Sequence, residues 1–137
     1  MTLAKNSKQE CILIVDDSTD NLYLLQFILE TQGYKVGLAN SGEQALAQVK
    51  KLPPDLILLD VMMPQMNGYE VVDRLRKDAS LSSIPVFLVT ADKYVSNHKA
   101  IAAGANGLIY KPIDIEQLLL TVAQTLAPKN TENNSEA

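Results

Sequence analysis

The chain has 137 residues, a formal net charge of −4, 47% hydrophobic residues and 20% charged residues. That length suits one domain with a core that needs no disulfide or metal staple, and it leaves no room for a second catalytic or DNA-binding domain. The acidic balance, without any basic stripe, sets nucleic acid and anionic membranes aside as partners.

A single cysteine, Cys11, excludes an internal disulfide and is read as a buried, inert thiol. No apolar run approaches the roughly 18 residues of a membrane span, and the first ten residues contain no apolar leader core, so the expected compartment is the cytoplasm. Residues 1–10 are read as a flexible segment ahead of a domain over residues 11–127.

The run Cys11-Ile-Leu-Ile-Val15 predicts a strand buried on both faces that ends in Asp16-Asp17. Ser18, Thr19 and Asp20 are competent caps for a helix from about Asp20 to Gln32, closed by Gly33. Leu24, Leu25, Ile28 and Leu29 suffice for its core face, which leaves Tyr23 and Phe27, one helical turn apart, either to pack on the last helix or to form a docking patch. A short strand follows over Tyr34–Leu38, then a helix opened by Ser41 with Ala45, Leu46 and Val49 inward, stopped by Pro53-Pro54.

Between Asp55 and Asp60 lie four consecutive apolar residues, the signature of a second doubly buried strand, and Pro64 forces the chain out of the sheet soon afterwards. Asn67-Gly68 marks a turn into a helix carrying Val71, Val72 and Leu75. The next strand runs Ile84–Val89 and ends in Thr90. A weakly patterned helix is expected over Ala91–Ala103, its apolar residues interrupted by Ser96, Asn97, His98 and Lys99; His98 is expected to be exposed.

Gly107–Tyr110 is the last strand, followed by Lys111-Pro112, and Asp114 opens a helix striped with Ile115, Leu118, Leu119, Val122 and Leu126. Met62, Met63 and Met66 are read as loop packing. Residues 128–137 are polar and expected to be a disordered tail. Alternating strands and helices joined by short connections call for an α/β, doubly wound parallel sheet of five strands and five helices.

In such a sheet the acids Asp16, Asp17 and Asp60, the hydroxyl of Thr90 and the ammonium of Lys111 meet at the carboxyl edge, where ligands of open α/β sheets bind. Three clustered carboxylates call for a hard cation, with Mg²⁺ the natural candidate. Lys111 and Thr90 then suit a group with several anionic oxygens, and an aspartate attacking phosphorus gives an aspartyl phosphate.

The set Val15-Asp16-Asp17, Leu59-Asp60-Val-Met-Met-Pro64 with Gly68, Thr90-Ala91, Ala103-Gly104-Ala105 and Tyr110-Lys111-Pro112 resembles the receiver domains of bacterial two-component response regulators, the chemotaxis regulator among them. The resemblance covers about residues 11–127 and implies a flavodoxin-like three-layer sandwich with strand order 2-1-3-4-5. It implies that Asp60 is the phosphoacceptor and that Asp17, Asp60 and the Met62 backbone carbonyl bind Mg²⁺, with Asp16 helping through water.

Lys111 would bind the phosphoryl group, Thr90 would be the switch hydroxyl, Tyr110 the aromatic that follows it, and the Lys111–Pro112 bond would be cis. The resemblance also places Met62 and Asp92, two beyond Asp60 and Thr90, beside the path of hydrolytic water. The implied function is a stand-alone response regulator, not an enzyme, that takes a phosphoryl group from a histidine kinase or phosphotransfer domain and addresses an output protein that the sequence does not name.

Relay or phosphate storage is an alternative output. An Mg²⁺-dependent aspartyl-phosphate phosphohydrolase is the runner-up from the enzyme class, although haloacid-dehalogenase-type enzymes carry D-x-D on the first strand where this chain has adjacent acids. A flavodoxin-like cofactor carrier is a third reading, opposed by the acidic loop Asp16–Asn21.

Overall fold

The computed structural model describes residues 9–128, so the terminal segments expected to be flexible lie, but for their inner few residues, outside the described residues. The elements are β1 (Cys11–Val15), α1 (Thr19–Glu30), β2 (Lys35–Ala39), α2 (Gly42–Lys51), β3 (Leu56–Asp60), α3 (Gly68–Lys77), β4 (Val86–Thr90), α4 (Asn97–Ala102), β5 (Gly107–Tyr110) and α5 (Ile115–Thr125). The strands form one parallel sheet in the order β2-β1-β3-β4-β5. This is the flavodoxin-like order, in which the chain reverses direction across the sheet between β1 and β3.

β3 is buried at all five positions because it is central and covered on both faces. Its alternate side chains feed two cores. Ile57 and Leu59 pack with Leu13, Val15, Val49, Val72 and Leu75 on the face of α2 and α3, while Leu56 and Leu58 pack with Ile12, Ile14, Leu25, Leu29, Leu118 and Val122 on the face of α1 and α5. Burial on both sides makes the strand ends the points where side chains reach water.

Helix starts follow the capping chemistry of the sequence. Ser18, Ser41, Ser96 and Asp114 each accept the backbone N–H three residues on. Asn67 does so within a full capping box, its own N–H donating to Glu70 at 2.9 Å. That box, unread in the sequence, turns the Asn67-Gly68 turn signal into a fixed start for α3.

Several sequence expectations need correction. α4 spans only six residues, not Ala91–Ala103: Asp92 accepts the Tyr94 N–H and Ser96 caps the helix, so side-chain oxygens hold residues 91–96 in turns. β4 starts at Val86, after Pro85, and β2 runs one residue later than expected, with Glu10 carbonyl accepting from Lys35 N–H ahead of the paired run.

On α1 the buried residues are Leu22, Leu25 and Leu29, while Leu24 is exposed; the phase of the core face follows packing on the sheet beside α5, which a helix this apolar does not reveal. Tyr23 and Phe27 are 61% and 67% exposed, so both present most of their surface to solvent. Ile115 is exposed, Met62 points to solvent while Met63 is buried, and Cys11 is half-buried, its thiol pushed up chiefly by burial. His98 is exposed.

Arg76, passed over in the sequence, ties the far end of the sheet. Its guanidinium donates to the carbonyls of Gly104, Ser82 and Ile84 and to the Asn106 side chain, whose oxygen also accepts the Val86 N–H. Among the described residues no helix is long and apolar enough to cross a membrane.

Candidate functional site

Asp60 is the last residue of β3 and is 5% exposed. The chain beyond it is drawn back at once: Val61 N–H bonds to Val89 carbonyl, and Gly68 N–H returns to Val61 carbonyl at 2.9 Å. A tight turn at Pro64–Met66, with Gln65 at φ 71°, reverses the loop. Gly68 is required by space, since a Cβ there would lie 2.6 Å from the Asp60 carbonyl oxygen. The loop thus closes against the backbone of Asp60 and leaves its carboxylate facing the sheet edge.

β1 delivers the other two acids. Asp16 is buried, anchored by its own N–H to Ala39 carbonyl, and its carboxylate accepts from Ser18 N–H at 2.9 Å and from the Asn21 amide at 3.2 Å. Lys111 Nζ lies 3.1 Å from Asp16 Oδ2 and 3.7 Å from Asp60 Oδ2, bridging the two buried acids. Asp17 is exposed, yet one oxygen from each of Asp16, Asp17 and Asp60 falls within 4.8 Å of the others. Asn21 is the site residue that sequence reasoning missed; its place in the Asp-rich loop hints at capping, and only the first turn of α1 brings its amide back to Asp16.

The electrostatics follow from this crowding. Burial, then the neighbouring charge of Asp16, pushes Asp60 up to about 6, against the pull of Lys111 and the long 3.4 Å bond from Met62 N–H. A carboxylate so short of positive charge, with two further acid oxygens at hand, is a hard-oxygen donor set that fits Mg²⁺. Both oxygens of Asp16 already hold donors. Asp17, by contrast, has no donor holding its carboxylate among the described residues, so it is the acid free to turn inward.

Thr90 ends β4, is fully buried, and sits opposite Tyr110 in the β4–β5 register. Its Oγ1 accepts the Asp92 N–H at 3.0 Å, and its carbonyl accepts the Lys111 N–H at 2.8 Å. It therefore links the loop ahead of α4 to the strand end that carries Lys111. Tyr110 is not gathered with the acids: it is 39% exposed, its hydroxyl donates to Val95 carbonyl, and Lys93 Nζ lies 5.6 Å from its ring centroid. The Lys111–Pro112 bond is cis. The Met62 side chain and Asp92 are both exposed at the rim.

Beside the acids a groove of about 450 Å³ runs between α1 and the chain leaving β5, lined in part by Asp16, Asn21, Leu24, Ile28, Lys111 and Ile115. Exposed Tyr23, Leu24 and Phe27 continue this apolar surface along α1. The acids and Lys111 are thus contiguous with an exposed apolar surface.

A family model described as the response regulator receiver domain matches residues 12–123. The chain is similar to protein PilH of Pseudomonas aeruginosa, 39% identical over 117 residues that make up 85% of this chain and 97% of PilH. It is also 39% identical over 117 residues to the transcriptional regulatory protein ZraR of Escherichia coli, of which it spans 26%. Among solved structures, the chemotaxis protein CheY4 of Vibrio cholerae superposes with a TM-score of 0.80 at 32% identity, covering 87% of this chain and all of that one.

Proposed function

Because the chain belongs to the response regulator receiver family of two-component signalling, we propose that it takes a phosphoryl group onto Asp60 from a phosphohistidine of a kinase or phosphotransfer protein. The observation that carries this reading is a buried carboxylate at the end of the central strand, facing a lysine ammonium and two further acids. Ionised at neutral pH but above the ordinary carboxylate range, Asp60 is a nucleophile whose charge has been kept from solvent.

One Asp60 oxygen forms the new P–O bond as the P–N bond to the donor imidazole breaks; the electron pair leaves with the imidazole nitrogen, which takes up a proton. Lys111, already within ion-pair distance of Asp60, follows the charge onto the phosphoryl oxygens. Asp16 and Asp17, with Asp60 and the Met62 carbonyl, would hold Mg²⁺, Asp16 through water. Bound Mg²⁺ would neutralise anionic oxygens on the attacking and transferred groups.

Readout runs through Thr90. Its hydroxyl, turning to donate to a phosphoryl oxygen, is bonded to Asp92 N–H and so moves the loop ahead of α4 that also carries Val95, the present partner of Tyr110. Phosphorylation acts here as a population shift, with Tyr110 released to a second position. The groove beside Lys111 and the patch Tyr23, Leu24 and Phe27 are the docking face for the phosphodonor protein, and the compartment is the cytoplasm. The role is signalling rather than turnover.

A small-molecule phosphodonor with Mg²⁺ tests the reading. Label that base and hydroxylamine both cleave, as they do an acyl phosphate, should appear on the wild type and be absent from Asp60→Asn; equal labelling of both proteins refutes the assignment.

A further inference from the structure

Met66 lies in the loop between β3 and α3, and its side chain meets the first turn of α2. A Cβ added at Gly42 would lie 2.9 Å from Met66 Sδ and 3.0 Å from both Met66 Cβ and Cγ, so the methionine rests along the bare Cα of a buried glycine. The helix side of this contact is fixed. Ser41 Oγ accepts the Gln44 N–H at 3.1 Å, the Gln44 side chain accepts the Asn40 N–H at 2.6 Å, and Ala45 and Val49 anchor α2 in the core.

The loop side depends on few holds. Its neck is closed by Gly68 N–H on the Val61 carbonyl, and Met63 is buried. At the tip the chain reverses through a three-residue turn of the γ type, Met66 N–H donating to Pro64 carbonyl at 2.7 Å around Gln65 at φ 71°. A left-handed φ at a residue other than glycine persists only where its surroundings impose it. Pro64 and Gln65 are exposed, which leaves Met66 as the side chain of this turn that is seated on the core.

We infer that Met66 is a positioning residue for divalent-metal binding: clamped on Gly42, it holds the Gln65 turn and with it the backbone of Met62. This rests on the reading of Asp16, Asp17, Asp60 and the Met62 carbonyl as the Mg²⁺-binding set. A carboxylate can rotate to meet a cation, whereas a backbone carbonyl points where its loop points. Mg²⁺ demands a near-octahedral arrangement, so a tilt of that carbonyl weakens binding with every acid intact. The Met62 side chain is exposed and gives no anchor, so the carbonyl is aimed by Val61 and Met63 in the core and by Met66 on α2. α2 carries none of the metal-binding set, yet through this contact it tunes the site.

The test titrates Mg²⁺ into the full chain by calorimetry, with folding followed by circular dichroism and stability by urea unfolding in EDTA. Met66→Ala should bind Mg²⁺ roughly tenfold more weakly, and Met66→Leu, which refills the space over Gly42, should stay within about twofold of the wild type. Gly42→Ala should weaken binding in the wild type, because its Cβ displaces the methionine, and should have no further effect in Met66→Ala, where that space is free. Leu29→Ala, a truncation in the core beneath α1 and α5, should lose stability with Mg²⁺ affinity unchanged, which separates aim from general loosening. If Met66→Ala does not fold, Gly42→Ala against the wild type still decides. Wild-type affinity in Met66→Ala or Gly42→Ala, an equal loss from Gly42→Ala in both backgrounds, or an equal loss in Leu29→Ala overturns the inference. A wild type that takes up no Mg²⁺ overturns the metal-site reading instead, so the two failures are told apart.

Discussion

Asp60→Asn should make the metal-free protein more stable at neutral pH, although it removes the residue at the centre of the site. Burial and the Asp16 charge push Asp60 up to about 6, whereas in the unfolded chain an aspartate titrates near ~3.9. The folded state therefore binds its proton more tightly, and between those two values it holds more protons than the unfolded state. Stability must fall as pH rises from about 4 through about 6, and the full penalty stands at pH 7. About two pH units at about 1.4 kcal/mol each give about 3 kcal/mol.

Asparagine is neutral throughout and fills almost the same space, so it escapes that penalty. It forfeits the attraction of Lys111 at 3.7 Å, but Lys111 keeps its closer partner Asp16 at 3.1 Å. The expected gain is about 2–3 kcal/mol at pH 7 in EDTA. Urea unfolding of both proteins at pH 7 and at pH 4 reads the charge of residue 60 together with its coupling to Asp16 and Lys111, because groups away from this cluster titrate alike in the two. The gain should shrink toward zero at pH 4, and added Mg²⁺ should stabilise the wild type more than the variant. A variant less stable than the wild type at pH 7, or a difference that does not change with pH, would refute the electrostatic account of the site.

Gly68→Ala places a Cβ 2.6 Å from the Asp60 carbonyl oxygen and 3.0 Å from Val61 Cα; unfolding should show a loss of about 2 kcal/mol or more, with slower labelling by a small phosphodonor. Arg76→Ala removes donors to three carbonyls and to Asn106, so stability should drop by about 2–3 kcal/mol, while Mg²⁺ affinity, measured by calorimetry, stays within about twofold because the guanidinium acts at the other end of the sheet. Tyr23→Ala with Phe27→Ala should slow phosphotransfer from a phosphorylated histidine phosphotransfer domain by about tenfold or more, yet leave labelling by a small phosphodonor unchanged, since both side chains lie on the surface of α1.

The sequence by itself determined the strand-end chemistry. Apolar runs buried on both faces admit a polar residue only where they emerge, so Asp16, Asp60 and Thr90 could be placed at one edge from the pattern alone, and short connections between strands and helices left the parallel doubly wound sheet as the architecture. Caps were equally legible, because a serine or aspartate oxygen satisfies backbone N–H groups within three residues of itself.

What only the tertiary structure decided lies in contacts between segments distant in the chain. The phase of α1 depends on how it sits on the sheet beside α5, so exposed Leu24 and buried Leu22 could not be separated in a helix apolar nearly all round. The shortness of α4 reflects Asp92 and Ser96 competing for backbone groups in a stretch too weakly patterned to resist them. The bridging of Asp16 and Asp60 by Lys111 across 95 and 51 residues, the Asn21 amide on Asp16 and the seating of Met66 on Gly42 all depend on distances between strands and helices, which the order of residues along the chain does not encode locally.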